Sequence, residues 1–229
     1  MFLLGVLCAL FVTISASTDS CYRHVEEACD IKISNSLLGT SFNCTATFGN
    51  IEKLKSELQG YANAHIEYSY EFLLMSTHFG NYESNREGFK ALYRKLSDKA
   101  WENAINIVKF LTKRGSTLNF IREEQTNSHN KIVSESETRE IQFNEIQSLA
   151  KALQIEENLT KEAIKIHSDA RQKFHDPSVS HFIEEKFMEQ QADYMRLLAG
   201  HINDLQKLLL LNDPSVALFI FDEYLKKTV

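Results

Sequence analysis

The sequence predicts an all-α protein: a four-helix bundle with one long crossover and a short fifth helix. Three observations carry this expectation. Apolar residues recur at alternating spacings of three and four over several long stretches, the period of a helix that buries one face. Only two prolines and eight glycines occur in 229 residues, so long helices can run unbroken. The stretch from Asn144 to Leu211 holds a single proline, Pro177, which divides it into two segments of roughly 30 residues, longer than an ordinary globular helix.

Composition narrows the function classes. The chain is 43% hydrophobic and 24% charged, enough for one or two domains with a sizeable core. Its net charge is -6 and no Lys/Arg cluster stands out, so it lacks the basic footprint of a nucleic-acid binder. No membrane span is expected, because the most apolar late run, Leu208 to Leu211, is flanked by Lys207 and Asp213.

Residues 1–18 read as a secretory signal peptide. Met1 to Ile14 carries no charged side chain, and the small residues Ser15, Ala16 and Ser17 precede Asp19. Residues 19–49 read as a cysteine-containing arm, and 50–229 as the helical domain. Removing Cys8 with the signal leaves Cys21, Cys29 and Cys44. Two of these can pair, and the third is left for another subunit or stays a free thiol. Asn43-Cys44-Thr45 is a usable glycosylation sequon, whereas Asn158-Leu159-Thr160 falls mid-helix and reads as an accidental match.

The first helix is expected over Ile51–Phe79, with Ile51, Leu54, Leu58, Tyr61, His65, Tyr68, Phe72, Met75 and Phe79 facing inward. Ser84 or Asn85 can cap the second, whose stripe is Phe89, Leu92, Leu96, Ala100, Asn103, Ile107 and Phe110. It ends at Lys113-Arg114-Gly115, basic residues and then a glycine. The short link makes these two helices antiparallel. Ser116 to Glu137 is polar and weakly patterned, too long for an ordinary connection, and reads as a crossover that returns the chain along the bundle. The third helix then runs parallel to the second, from about Thr138 to Lys173, with Leu149, Leu153, Glu156, Thr160 and Ala163 inward. After Pro177 the fourth stripe is Glu184, Met188, Gln191, Met195, Leu198, Ile202, Leu205 and Leu209. Asp213-Pro214 opens a fifth helix, about Ser215 to Lys226, so apolar that it is expected to dock against other subunits.

Bundles of this topology commonly hold di-iron sites built from inward carboxylates and a Glu-x-x-His pair. None of the eight histidines here has a glutamate three positions before it. At the bundle midpoint stand His65, Phe72, Ala100, Asn103, Glu156 and Gln191, and only Glu156 is a strong ligand for a hard cation. Glu156 therefore reads as a buried acid paired with His65. The alternative is a weak, vestigial iron site of Glu156, His65 and Gln191.

Several segments carry a resemblance to the ferritins: Phe72-Leu-Leu-Met-Ser-Thr-His-Phe79, Lys113-Arg114-Gly115, Ala152 to Asn158, Asp176-Pro177 through Glu184, and Phe221-Asp222-Glu223. The resemblance runs from about Gln59 to the C-terminus and implies a ferritin-like four-helix bundle. Position by position, it places the family's ferroxidase ligands on His65, Phe72, Ala100, Asn103, Glu156 and Gln191. Four of these six depart from the pattern, so it implies no catalytic residues and no enzyme activity. Asp98 and Glu102, beside Lys95 and Lys99, fall where light chains nucleate mineral. His181 and Glu184 fall at the ion-entry channel, or form a simple surface pair. The signal peptide and N-terminal cysteines resemble the secreted light-chain homologues of insects. That implies iron as stored cargo, a heavy-chain partner in a mixed twenty-four-subunit shell, and a leftover cysteine bonded to that partner. Rival readings are an atypical ferroxidase and a secreted helical signalling protein. The second fits poorly with a single crossover.

Overall fold

The computed structural model describes residues 44–118, 144–211 and 213–228. Residues 1–18, Cys21, Cys29, Asn43 and the segment 119–143 lie outside these. The chain divides into two compact units, Met1–Ala46 and Thr47–Val229. In the first, Cys44 is disulfide-bonded. The second is helical, with no strand among its described residues.

Helix α1 spans Ile51–Phe79 and α2 spans Glu87–Lys113. Helix α3 is Glu145–Ser168 and runs on through a π turn, Asp169–Lys173. The fourth rod is composite: α4 over Pro177–Ile183, a π turn over Glu184–Met188, then α5 over Glu189–Leu211. Helix α6, Pro214–Thr228, is the expected fifth helix.

One end of the bundle is tied by a buried ion pair. Asp176 caps α4, accepting from the Val179 amide at 3.3 Å. Arg114, just past the end of α2, donates to the Asp176 carboxylate at 2.8 Å, with both side chains almost fully buried. The amide of Asn50, which precedes α1, reaches the same carboxylate at 3.2 Å. Gly49 is obligatory here: its φ is +64°, and a Cβ would lie 2.8 Å from an Asp176 oxygen. The exit of α2 explains Arg114-Gly115. The Gly115 amide returns to the Thr112 carbonyl at 3.0 Å and Ser116 to Leu111 at 3.1 Å, with φ +74° at Gly115, which is a Schellman ending.

The opposite end fixes the topology. Arg86, at the start of α2, pairs with Glu145, at the start of α3, at 3.0 Å. The two helices therefore begin at one end of the bundle and run parallel. The chain leaves α2 at the Asp176 end and re-enters at the Arg86 end, the crossover geometry expected from the sequence.

Two expected stripes shift. On α3 the buried line is Leu149, Ala152, Glu156, Leu159, Ala163 and Ile166; Leu153 and Thr160 are only half-buried. On the fourth rod Glu184 is exposed, and the inward residues before Gln191 are Val179, Ile183 and Phe187. The π turn takes in one extra residue, so a regular heptad counted back from Gln191 lands one position off.

The start of α2 also differs. Neither Ser84 nor Asn85 caps it. The cap comes from α6: Asp222 Oδ1 accepts from the amides of Gly88 at 2.8 Å and Phe89 at 3.1 Å. Helix α6 therefore docks on its own chain through Ala217, Phe221, Asp222 and Leu225. Phe221 joins the stack of Phe79, Phe89 and Tyr93. Val216, Phe219, Ile220 and Tyr224 remain exposed on its other face.

Candidate functional site

Five of the six midpoint residues meet as the sequence implied. His65 from α1, Ala100 and Asn103 from α2, Glu156 from α3 and Gln191 from α5 line one cavity of about 10 Å³, room for a single water or small ion. Each arrives by helical register. His65 lies one turn after Tyr61 on the α1 stripe, and Ala100 and Asn103 lie three apart on α2. The sixth residue, Phe72, is fully buried but does not line the cavity. The remaining lining residues are Leu96, Lys99, Leu159, Gln190 and Tyr194.

The cavity is polar yet poorly paired. His65 is 1% exposed, Gln191 2% and Glu156 7%. Neither ring nitrogen of His65 has a hydrogen-bond partner, and the Gln191 Oε1 atom has none either. Burial holds the His65 imidazole down at about 3 and lifts the Glu156 carboxyl to about 7. The expected His65–Glu156 ion pair is thus not formed, although the two residues share the cavity. Removing two charges from water costs more than their attraction returns, so burial favours the uncharged form of each.

What orients Gln191 was not anticipated. Its Nε2 donates to the Tyr61 hydroxyl at 2.8 Å. Tyr61 stacks edge-on against His65, centroids 4.6 Å apart, and Phe187 packs on both rings. Tyr61 was visible on the α1 stripe, but as a core residue. Only its position opposite Gln191 reveals it as a partner.

The other candidates lie on the surface. Asp98 is held by Arg94 at 2.8 Å and Glu102 by Lys99 at 2.8 Å. The Lys99 hydrogen bond and charge hold the Glu102 carboxyl below its usual range. His181 and Glu184 do not pair with each other. His181 approaches Glu185 at 3.5 Å, and Glu184 approaches His167 at 3.7 Å. Among the described residues no group of three or more His, Cys, Asp or Glu is arranged to hold a metal ion. Nor is any helix there long and apolar enough to cross a membrane.

A crossed-over four-helix bundle with a polar cavity at its midpoint and a short terminal helix defines the ferritin-like class. The ferritin-like domain matches residues 55–208. The ferritin light chain of Trichoplusia ni is 41% identical over all of this chain and 99% of its own length. That of Drosophila melanogaster is 37% identical over 96% of this chain and 95% of its own. A crystal structure of Trichoplusia ni secreted ferritin matches with a TM-score of 0.74 at 38% identity, covering 92% of this chain and 99% of that one. The chain belongs to the ferritin family and is homologous to its light chains; the family stores iron in multi-subunit shells.

Proposed function

We propose that this chain is a non-catalytic light subunit of a secreted iron-storage shell. It contributes wall and stability, and a ferritin heavy chain oxidises the ferrous iron. One observation carries the reading: the midpoint cavity offers a single carboxylate, Glu156, where oxidation of paired irons needs several hard oxygen ligands. His65, Phe72, Ala100 and Asn103 occupy four of the other five positions that the resemblance assigns, and Gln191 is the fifth. Iron is cargo here, stored as soluble ferric mineral.

The secreted location rests on residues 1–18 and on the likeness to a secreted ferritin. Residues 19–49 form the cysteine-bearing arm, and 50–229 the bundle. Cys21, Cys29 and Cys44 supply one bond within the chain and one to the heavy subunit, and Asn43 carries the glycan. Asp98 and Glu102 each hold a cation on their own helix, so their part in nucleation is small. His181 and Glu184 contribute a weakened charge ring at the channel.

The test is ferrous oxidation by the mature chain, alone and then co-assembled with a heavy chain. No saturable oxidation alone, with oxidation and loading on mixing, is expected. Saturable oxidation by this chain alone, abolished by Glu156→Gln, would establish the atypical-ferroxidase reading instead.

A further inference from the structure

We infer that Asn158 carries a second N-linked glycan, on the outer wall of the shell. The inference rests on the secreted light-subunit reading, which takes the chain past the glycosylation machinery. Asn158-Leu159-Thr160 is a complete acceptor sequon. Its mid-helix position is no bar, because the glycan is transferred before α3 folds. The Asn158 amide nitrogen attacks the anomeric carbon of a lipid-linked oligosaccharide. A C–N bond forms and the anomeric C–O bond breaks. The lipid pyrophosphate leaves with the electron pair, and the nitrogen gives up one proton. In the folded chain the Thr160 hydroxyl is engaged, donating to the Glu156 carbonyl at 2.7 Å, so the sequon is used beforehand or not at all. The fold decides only whether the product can be housed, since a bulky, polar glycan has to stay in solvent.

Asn158 meets that requirement. It is exposed on α3, as are Gln154, Glu157 and Lys161 around it. Among the described residues no hydrogen bond or ion pair engages its side chain, so modification breaks no contact of the fold. The neighbouring surface is open as well. Lys151, on the same face of α3, reaches Glu71 of α1 at 3.2 Å. Helix α1 runs antiparallel to α3, so two turns on from Lys151 correspond to two turns back from Glu71, and Asn158 comes opposite Ala64. The charge of Lys165 acts on Glu57, which keeps the same register a further two turns along. Ala64 is small, and a Cβ on Gly60, one turn before it, would meet nothing within 4 Å. The face also has a direction. Helix α1 packs on α2 and on α3, and α3 packs on α5, so the α1–α3 side lies across the bundle from α2 and α5. Helix α2 bears Asp98 and Glu102, which the light-subunit reading turns toward the mineral. Asn158 therefore looks away from the stored iron.

The test is expression of the full chain with a heavy chain in a eukaryotic secretory host, with mass spectrometry of the Asn158 peptide before and after peptide N-glycosidase. The peptide should be mainly glycosylated, and the enzyme should leave Asp at position 158. Asn158→Gln should remove one glycan's mass from the intact chain and Thr160→Ser should keep it, with both variants still secreted. To place the glycan, lectin beads are offered intact shells of Asn43→Gln, assembled with a heavy chain free of sequons. Capture is expected, and so is its loss when Asn158→Gln is added. Shells glycosylated at Asn158 that the beads pass over would overturn the outer-wall placement. A secreted, signal-cleaved chain whose Asn158 peptide is mainly bare would overturn the site and leave the secreted light-subunit reading intact. A chain that keeps Met1 and stays in the cytosol would sink both.

Discussion

The carboxylate of Asp222 caps α2 from far along the chain, accepting at 2.8 Å from the amide of Gly88, 134 positions earlier. The last helix of the chain thereby satisfies the orphan amides of α2. Contact is so close that a Cβ on Gly88 would lie 2.2 Å from the Asp222 carbonyl oxygen.

Two substitutions should therefore detach α6 to different degrees. Asp222→Ala removes the cap and should cost about 1–2 kcal/mol. Gly88→Ala cannot be accommodated without moving α6 backbone, and should cost more. Denaturant unfolding of both variants measures the order. A Gly88→Ala variant as stable as the wild type would show that α6 is not seated as described.

The Arg114–Asp176 pair should dominate stability at the other end. Arg114→Met leaves a buried carboxylate without its cation, a loss of about 3–5 kcal/mol. Burial by itself lifts the Asp176 carboxyl, but the Arg114 hydrogen bond and the Val179 and Asn50 amides outweigh it and hold the group below its ordinary value. The contribution is therefore present above the unfolded value of about 3.9 and lost as pH falls through the folded one. Acid unfolding of the wild type should be steeper below pH 4 than that of Arg114→Met.

His65 and Glu156 predict opposing pH slopes. His65 falls to about 3 when folded, so protonation of the unfolded chain erodes stability from about 6.5 downward. Glu156 rises to about 7, so ionisation of the unfolded chain erodes stability from about 4.3 upward until the folded group also ionises. Between about pH 4.5 and 6.5 the two slopes cancel. Glu156→Gln should expose a rise in stability across that window, at most about 1.4 kcal/mol per pH unit, and His65→Leu should expose a fall. Parallel profiles for the two variants would contradict the burial of both groups.

Tyr61→Phe should leave Gln191 Nε2 unpaired beside an Oε1 that already lacks a partner. A loss of about 1–3 kcal/mol is expected by thermal unfolding. Double substitution with Gln191→Leu should recover part of it, because removing both polar partners spares the desolvation cost.

The α1 stripe from Ile51 to Phe79 was legible almost residue by residue, because an uninterrupted α-helix keeps one period throughout. The fourth stripe was not, because nothing local in Glu184–Met188 announces a π turn. That turn moved Ile183 and Phe187 inward and Glu184 out to His167.

By itself the sequence determined the bundle, its crossover, the tie to the ferritins and five of the six residues expected to meet at the midpoint. Periodicity, breakers and composition are properties of the chain read in order, and those features depend on nothing else. Tertiary structure alone decided which groups are paired. It put Tyr61 opposite Gln191 and Asp222 on the Gly88 amide, and it left His65 and Glu156 unpaired with each other. Those outcomes turn on distance and desolvation between segments more than thirty residues apart, and on charges whose cost depends on how far each is removed from water.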